Sequence, residues 1–363
     1  MRILIATAET PFELGGAEGK VRGLRDALRR HGHQADLLSM PHVSGRAAHV
    51  LADMRYCEGF DATRVGQLAV DLVIGIKFPT YLVHHPRKVL WIAHQYRPAY
   101  ELWQHPKTSF HAQPDSAAVR AAIQVADTAC FTAGTALLAG SRTVAARLRR
   151  YNGLEARVLY HPPPDADAYA GGEAGRYLYF PSRLTMLKRH TLVLEALART
   201  RQPVEVRFSW TGIEFHLPVL REQAERLGVA DRVRWLGTLS AADKRAAYAG
   251  ALGVVFPPFD EDLGYVTLEA MLAAKPVVTC TDSGGPTEFV RDGENGLVVE
   301  PSPQALAEAF DDLWAAPARA ERLGRNGRDL VRSLRLSWDT VVETLLGAPA
   351  PACAAAGSIQ DRG

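Results

Sequence analysis

Cysteine is scarce in this chain, and the little that is present follows no metal-binding spacing. The 363 residues include four cysteines, Cys57, Cys130, Cys280 and Cys353, and no two of them form a CxxC pair. Their scatter argues against a zinc site and against a disulfide framework. The sequence also lacks a GxGxxG fingerprint, which weakens the case for a nicotinamide dinucleotide. We therefore expect reduced thiols, as in a cytoplasmic protein.

The chain also lacks an excess of charge of one sign. Lys and Arg total 42 and Asp and Glu total 40, so the formal net charge is +2. Such a balance excludes a general role in binding polyanions, nucleic acid included. Any anion must be recognised by a local site.

Long apolar runs are missing as well. The longest uncharged stretch, residues 128–141, is shorter than the ~20 apolar residues of a membrane span. The run at residues 3–6 is too brief for the apolar core of a signal peptide and instead predicts a buried strand. We expect a soluble, cytoplasmic protein, and the sequence leaves peripheral contact with a membrane surface open.

What the sequence does contain is a regular alternation of strand-like and helix-like patterns. Strands are predicted at residues 2–6, 34–39, 71–76, 89–92, 176–180, 204–210, 233–236, 253–256 and 277–280. Helices are predicted at residues 17–28, 116–125, 142–151, 191–199, 217–227, 241–249 and 266–274. This alternation favours parallel sheets covered by helices on both faces.

A proline-rich segment divides the chain into two halves. Pro162, Pro163 and Pro164 cannot lie within a helix or a central strand, so they predict a linker. We expect two α/β domains, residues 1–163 and 164–333, followed by a helix at residues 334–346. Residues 347–363, rich in Ala, Pro and Gly, are predicted to form a disordered tail.

Two glycines follow the first predicted strand. Gly15 and Gly16 permit close backbone approach, and the helix after them presents unpaired N–H groups with partial positive charge. The segment is suited to bind a phosphate or a sugar hydroxyl, or it merely turns a loop; the sequence leaves both interpretations open.

Two cations follow the predicted strand 176–180. Arg183 offers a forked guanidinium and Lys188 a point charge, and at a strand's end the two can converge on one diphosphate. The alternative is a solvated basic turn, because Arg189 and His190 add further polarity.

Residues 256–271 are the most informative segment. Glu261 and Glu269 are separated by seven residues, with Gly264 interrupting the helical pattern between them. We expect Glu261 in a loop and Glu269 in the first turn of a helix, where the helix dipole stabilises a carboxylate. Such a pair could bind vicinal hydroxyls of a hexose and of ribose. The backbone N–H groups suited to phosphate belong to Leu263, Gly264 and Tyr265.

This segment resembles the E-x7-E motif of the retaining GT-B glycosyltransferases, in particular glycosyltransferase family 4 (group 1). Other motifs agree with the resemblance in their order along the chain. They are the Gly15-Gly16 loop, the Arg183…Lys188 pair, the Leu236-Gly237 turn, a Gly-Gly-x-x-Glu loop at residues 284–288 and an Asp-Gly-x-Asn-Gly-Leu turn at residues 292–297. The chain departs from the family pattern at Leu263, where Phe is common, and at Arg189, where Gly is usual.

The resemblance implies a GT-B fold, in which two Rossmann-like domains face each other across a cleft. The C-terminal domain would bind the donor, with Arg183 and Lys188 at the diphosphate, Glu261 at the sugar and Glu269 at the ribose. Leu236 would lie near the base. The final helix would return to the N-terminal domain, which forms the acceptor side.

Three residues of the first half are assigned by the same resemblance. His94 follows a predicted strand, in a loop comparable to one that carries a histidine near the donor sugar, and is a candidate catalytic residue. Lys77 and Arg97 are candidates for acceptor binding. A solvated or structural histidine and a plain strand-ending turn at Lys77 remain the alternatives.

We therefore expect a metal-independent, retaining hexosyltransferase that needs no cofactor. Its partners would be a UDP- or GDP-linked sugar and a hydroxyl-bearing acceptor, whether glycan, lipid-linked or small molecule. A nucleotide-sugar epimerase of the same fold is one alternative. A non-catalytic nucleotide-sugar-binding protein is the other, although keeping Arg183, Lys188, Glu261 and Glu269 together argues against it.

Overall fold

The computed structural model describes residues 1–10, 15–41, 45–134 and 136–347. These residues form two six-stranded parallel sheets, which confirms the α/β class with two Rossmann-like domains. The predicted tail falls almost entirely on residues 348–363, outside the described part. No helix in the described part is both long and apolar enough to cross a membrane.

The first sheet has the strand order β2-β1-β5-β6-β7-β8, with β3 and β4 paired as a separate small hairpin. Its strands are β1 (Arg2–Glu9), β2 (Gln34–Pro41), β3 (Arg64–Val65), β4 (Leu68–Ala69), β5 (Leu72–Lys77), β6 (Lys88–His94), β7 (Ala136–Ala139) and β8 (Arg157–Val158). The α-helices between them are α1 (Gly16–Arg30), α2 (Ala47–Gly59), α3 (Ser116–Ala133) and α4 (Arg142–Asn152).

Both faces of this sheet are buried, as the strand β5 shows. Leu72 and Ile74 pack in the cluster under α1, whereas Val73 between them packs in the cluster under α2 to α4. Successive side chains of a strand point to opposite faces, so each face has its own core. That arrangement explains why β5 is apolar from Leu72 to Ile76 rather than alternating.

The second sheet has the order β11-β10-β9-β12-β13-β14. Its strands are β9 (Tyr177–Pro181), β10 (Glu205–Ser209), β11 (Val233–Gly237), β12 (Gly253–Val255), β13 (Val277–Cys280) and β14 (Gly296–Val299). The helices are α5 (His190–Leu197), α6 (Leu217–Arg226), α7 (Ala241–Ala249), α8 (Tyr265–Leu272), α9 (Pro303–Ala315) and α10 (Pro317–Ser333).

The last helix, α11 (Trp338–Leu346), packs on the first domain rather than the second. Val341 and Val342 join the core cluster that contains α1. The Trp338 ring covers Gly23 of α1 so closely that a Cβ on Gly23 would lie 2.3 Å from it. The two domains are therefore joined twice, by the proline segment and by the chain that leads into α11.

Candidate active site

A cavity of about 390 Å³ lies between the two domains. Strand order reverses between β1 and β5 in the first sheet and between β9 and β12 in the second. Ligands of open parallel sheets bind outside the carboxyl ends of strands at such reversals. The cavity lies there: one wall includes residues that follow β1 and residues that end β5 and β6, and the other includes residues that follow β9 and β12.

The structure brings most of the predicted site residues into the walls of this cavity. They are Gly15, Gly16, Lys77, His94, Arg183, Lys188, Glu261, Leu263, Gly264, Tyr265 and Glu269. Leu236 and Arg97 are not among the lining residues. Leu236 lies on β11, and Leu239, two residues beyond that strand, lines the cavity in its place.

The two predicted cations occupy different environments. Lys188 is buried, and its Nζ lies 2.5 Å from Oε2 of Glu261. Burial lowers the pKa of Lys188, an effect that the Glu261 charge opposes. Arg183 is exposed, with its guanidinium carbon 3.7 Å from the position that a Cβ on Gly15 would take. A forked cation therefore lies beside the glycine turn, and a charged pair lies deeper in the cavity.

The glycine turn begins α1, and its geometry depends on Glu18. Gly15 N donates to Glu18 Oε2 at 2.8 Å, while Lys77 Nζ lies 3.6 Å from Glu18 Oε1. The Tyr265 ring at the start of α8 packs on Gly16, where a Cβ would lie 3.1 Å from it. Glycine at this position lets the N-termini of two helices, one from each domain, approach one cavity. Both ends carry partial positive charge, so the arrangement suits an anion.

The sequence pattern predicted Glu269 in the first turn of its helix, and this prediction is wrong. Because α8 begins at Tyr265, Glu269 lies in the second turn and is buried. Its carboxylate accepts hydrogen bonds from Lys244 Nζ at 2.8 Å and from Tyr248 OH at 2.6 Å. Side-chain partners, rather than the helix dipole, therefore hold this carboxylate.

His94 ends β6 and is half-buried in the cavity wall. Its Nδ1 lies 2.7 Å from the Gln95 carbonyl oxygen, an acceptor, so Nδ1 carries the proton and Nε2 the lone pair. Burial lowers the pKa of His94 to about 4, helped by the charges of Lys77 and Arg97 and opposed by Asp262. The imidazole is thus neutral near pH 7 and can accept a proton at Nε2.

Arg97, a predicted acceptor residue, lies instead in a contact between the domains. Its Nε donates to Glu101 Oε1 at 2.5 Å, and its Nη2 donates to the Asp260 carbonyl at 2.7 Å. Arg147 pairs with both Asp260 and Asp262. These two aspartates flank Glu261 in an Asp-x-Asp pattern, whereas the prediction of metal independence had wrongly taken such a motif to be absent beside the donor loop. In the described part of the chain, no cluster of three metal-ligating side chains occurs.

Sequence reasoning also missed Lys20, a lining residue that is 2% exposed. Its Nζ lies 3.7 Å from the centre of the Trp91 ring, and burial lowers its pKa well below the usual range, against the pull of Asp262. The sequence pattern of α1 did contain a signal that Lys20 is buried. Lys20 falls one turn after Gly16, beside Val21 on the apolar face of α1, where a solvated lysine is not expected.

The family comparison covers the second domain. Residues 167–330 match the model of the family described as glycosyl transferases group 1. The chain is thus similar to this family over less than half of its length.

Two curated proteins are similar to part of the chain. The chain is 32% identical over 116 residues to alpha-1,3/1,6-mannosyltransferase ALG2 of Dictyostelium discoideum, a match that covers 32% of this chain and 27% of that protein. It is 32% identical over 185 residues to the D-inositol 3-phosphate glycosyltransferase of Salinispora tropica, covering 48% and 38% respectively. The chain thus spans well under half the length of these two relatives.

Solved structures resemble the chain over almost its full length. Sucrose-phosphate synthase of Thermosynechococcus elongatus superposes with a TM-score of 0.72 at 20% identity, covering 95% of this chain and 97% of that one. Anabaena HepE, solved in complex with UDP and glucose, superposes with a TM-score of 0.68 at 18% identity, covering 95% and 98%. At these identities the likeness establishes the GT-B fold for both domains together.

Proposed function

We propose that this protein is a retaining, metal-independent glycosyltransferase that moves a hexosyl group from a nucleoside-diphosphate sugar to a hydroxyl acceptor. The observation that carries the proposal is the composition of the cavity. Its lining includes the cations Arg183 and Lys188, the carboxylates Glu261 and Glu269, and the N-termini of α1 and α8, around one volume at the strand-order reversals of both sheets. Such a set fits a ligand that combines a diphosphate with two groups of vicinal hydroxyls.

The diphosphate leaving group sets the first requirement. Breaking the anomeric bond leaves positive charge on the sugar ring and negative charge on the diphosphate. Arg183 and Lys188 would neutralise that negative charge, together with the N–H groups at the starts of α1 and α8. Arg183 and these N–H groups line the cavity before the ligand arrives, whereas Lys188 must first leave Glu261.

Binding of the donor would break the ion pair between Lys188 and Glu261. Lys188 would turn its ammonium to phosphate, and Glu261 would accept hydrogen bonds from the sugar hydroxyls. Glu269 would bind the ribose. An ionised carboxylate has about four lone-pair sites, so Glu269 can accept a ribose hydroxyl while keeping its bonds to Lys244 and Tyr248.

The N-terminal wall would take the acceptor. His94 is neutral there and offers Nε2, and Lys77 is held beside Glu18 at the same wall. In the retaining reaction the acceptor would attack from the side of the leaving group, and a diphosphate oxygen would take its proton. The relatives guide the choice of donor to test: HepE was solved with UDP and glucose, and ALG2 is a mannosyltransferase.

A direct test is to incubate the purified chain with UDP- and GDP-linked hexoses, with and without added hydroxyl acceptors. We expect release of nucleoside diphosphate and a glycoside whose anomeric configuration, read by NMR, matches that of the donor. An inverted product would overturn the retaining assignment. Epimerised donor would identify an epimerase, and binding without turnover would identify a binding protein.

A further inference from the structure

The side chains of residues 260–262 pair alternately with the two domains: Glu261 pairs within the C-terminal domain, and its two neighbours pair with the N-terminal domain. Glu261 lines the cavity and pairs with Lys188. Asp260 and Asp262 pair instead with Arg147 of α4: Arg147 Nη2 lies 2.9 Å from Asp260 Oδ1, and Nη1 contacts Asp262 Oδ1. One arginine of the N-terminal domain thus holds both neighbours of the glutamate that would contact the donor sugar.

The backbone of this segment is shared between the domains in the same way. Glu261 N donates to Ser283 O at 2.9 Å, and Glu261 O accepts from Gly285 N at 2.7 Å, both within the C-terminal domain. The adjoining carbonyl groups accept from the N-terminal domain: Asp260 O from Arg147 Nη2 at 2.6 Å and Arg97 Nη2 at 2.7 Å, and Asp262 O from Ser141 Oγ at 2.5 Å. Each domain therefore fixes different peptide groups of one short segment.

The two arginines of this contact are shielded from water, whereas the side chains of Asp260 and Asp262 are 27% and 25% exposed. The Arg147 side chain is 8% exposed and the Arg97 side chain 13%. An arginine that forms several charge-assisted hydrogen bonds out of water has a well-defined geometry, because its planar fork fixes direction as well as distance.

A second contact fixes α4 on the C-terminal domain. Glu288 accepts hydrogen bonds from the N–H groups of Arg142 at 2.9 Å and Thr143 at 2.7 Å, at the first turn of α4. Carboxylate oxygens at a helix N-terminus satisfy otherwise unpaired donors. The helix that carries Arg147 is thereby held against the C-terminal domain at a second point.

We propose that Arg147 is a positioning residue for Glu261. By holding Asp260 and Asp262 it sets the Glu261 carboxylate against the donor sugar, and it does so only while the two domains are in contact. This inference rests on the proposed function, in which Glu261 contacts the sugar. Binding of a free nucleoside diphosphate, which uses Arg183, Lys188 and Glu269, does not depend on Arg147.

The test compares Arg147→Lys with Arg149→Lys, which makes the same chemical change at an exposed position of the same helix. Titration calorimetry with UDP and UDP-glucose, or the GDP pair if the donor screen selects it, separates the diphosphate from the sugar. For Arg147→Lys we expect the nucleoside diphosphate affinity to stay within twofold of wild type and kcat to fall at least tenfold. Arg149→Lys should match wild type in both.

A double-variant comparison separates positioning from a general structural role. In a Glu261→Gln background, Arg147→Lys should lower kcat no further, because the carboxylate that it positions is gone. An equal fall in both backgrounds would overturn the inference. Equal losses of nucleoside diphosphate affinity and of kcat would also overturn it, since that result would mean general damage to the fold.

Hydrogen exchange measured without ligand tests the role of Arg147 independently of the proposed glycosyltransferase function. We expect hydrogen exchange in residues 257–264 to be faster in Arg147→Lys than in Arg149→Lys, with residues 190–230 unchanged. Unchanged exchange in residues 257–264 would overturn the positioning role. If the wild-type chain binds no UDP- or GDP-sugar, the proposed function fails, and the exchange data still decide whether Arg147 holds the segment.

Discussion

The two walls of the cavity differ in how their polar groups are held. On the C-terminal wall Glu261 pairs with Lys188, and Glu269 with Lys244 and Tyr248, so charge is compensated before any ligand binds. On the N-terminal wall burial lowers the pKa of both Lys20 and His94, which favours their neutral forms. Under the proposed function, the C-terminal wall and the start of α1 would meet the diphosphate, whereas the neutral groups of the N-terminal wall would meet an uncharged hydroxyl.

If that comparison is right, the largest losses should follow changes on the C-terminal wall. We expect Arg183→Ala and Lys188→Ala each to lower kcat roughly 100- to 1000-fold, as loss of one preorganised donor to a developing anion does. Lys77→Ala, on the opposite wall, should mainly raise the acceptor KM, about tenfold. Steady-state kinetics on each substrate measure both.

The matched control for those variants is Arg199→Ala, an exposed arginine of the C-terminal domain outside the cavity lining. It should match wild type in rate and in thermal unfolding. Wild-type rates in both Arg183→Ala and Lys188→Ala would remove the assignment of the diphosphate to this wall.

The sequence predicted the C-terminal wall better than the N-terminal one, for a physical reason. On the C-terminal wall Lys188 lies five positions after Arg183, and seven residues separate Glu261 from Glu269. Both pairs can therefore be recognised by their spacing in the sequence. Arg147 is visible only once distant segments meet, whereas Lys20 could have been noticed as a lysine on the apolar face of α1. Arg97 stays a predicted acceptor residue, but its contacts with Asp260 and Asp262 could not be predicted, because these partners lie far along the chain and belong to the other domain.

The fold class was predictable from alternation, but several elements were not identified. The helix α2 was missed because its apolar and polar residues are not segregated to separate faces. The strand β8 has only two residues, too short for a pattern to emerge, whereas β14 was missed although it has four residues, as many as the predicted β13. By contrast α10, with its clear apolar stripe at Ala320, Leu323 and Val331, could have been identified.

The link between the two domains can be tested at Gly23. Alanine within a helix normally stabilises by roughly 1 kcal/mol relative to glycine, but here its Cβ would lie 2.3 Å from the Trp338 ring. We expect Gly23→Ala to destabilise the protein by about 1–3 kcal/mol, as overpacking does. Urea unfolding measures the change.

The control for Gly23→Ala is the same change in a Trp338→Ala background. With the ring removed, the alanine should become neutral or stabilising. If Gly23→Ala destabilises both backgrounds equally, the cause lies within α1 and not in its packing against α11.

The neutral histidine of the N-terminal wall predicts a pH effect with a definite sign. The folded pKa of His94 is about 4, below the ~6.5 of an unfolded chain, so the unfolded state binds more protons between these values. Stability should therefore fall as the pH drops from 6.5 through 4. The slope contributed by one such group is at most about 1.4 kcal/mol per pH unit.

The expected result is a shallower pH dependence in His94→Asn, measured by urea unfolding at pH 7, 6 and 5. Some slope should remain, because burial also lowers the pKa of His190, to about 3, and that of His161. His49→Asn, at an exposed site, should keep the wild-type slope. A wild-type slope in His94→Asn would show that the imidazole is not held neutral by its surroundings.

The smallest expected effect is that of a chelator. Asp260 and Asp262 have the Asp-x-Asp spacing that could suggest a metal, but their carboxylates pair with Arg147, and the Glu261 between them pairs with Lys188. A metal would have to displace these cations, whereas Arg183 and Lys188 already offer positive charge to a diphosphate. We therefore expect turnover in excess EDTA to stay within twofold of the untreated rate. Complete loss that magnesium reverses would contradict this and would mean that a metal, rather than the paired cations, neutralises the leaving group.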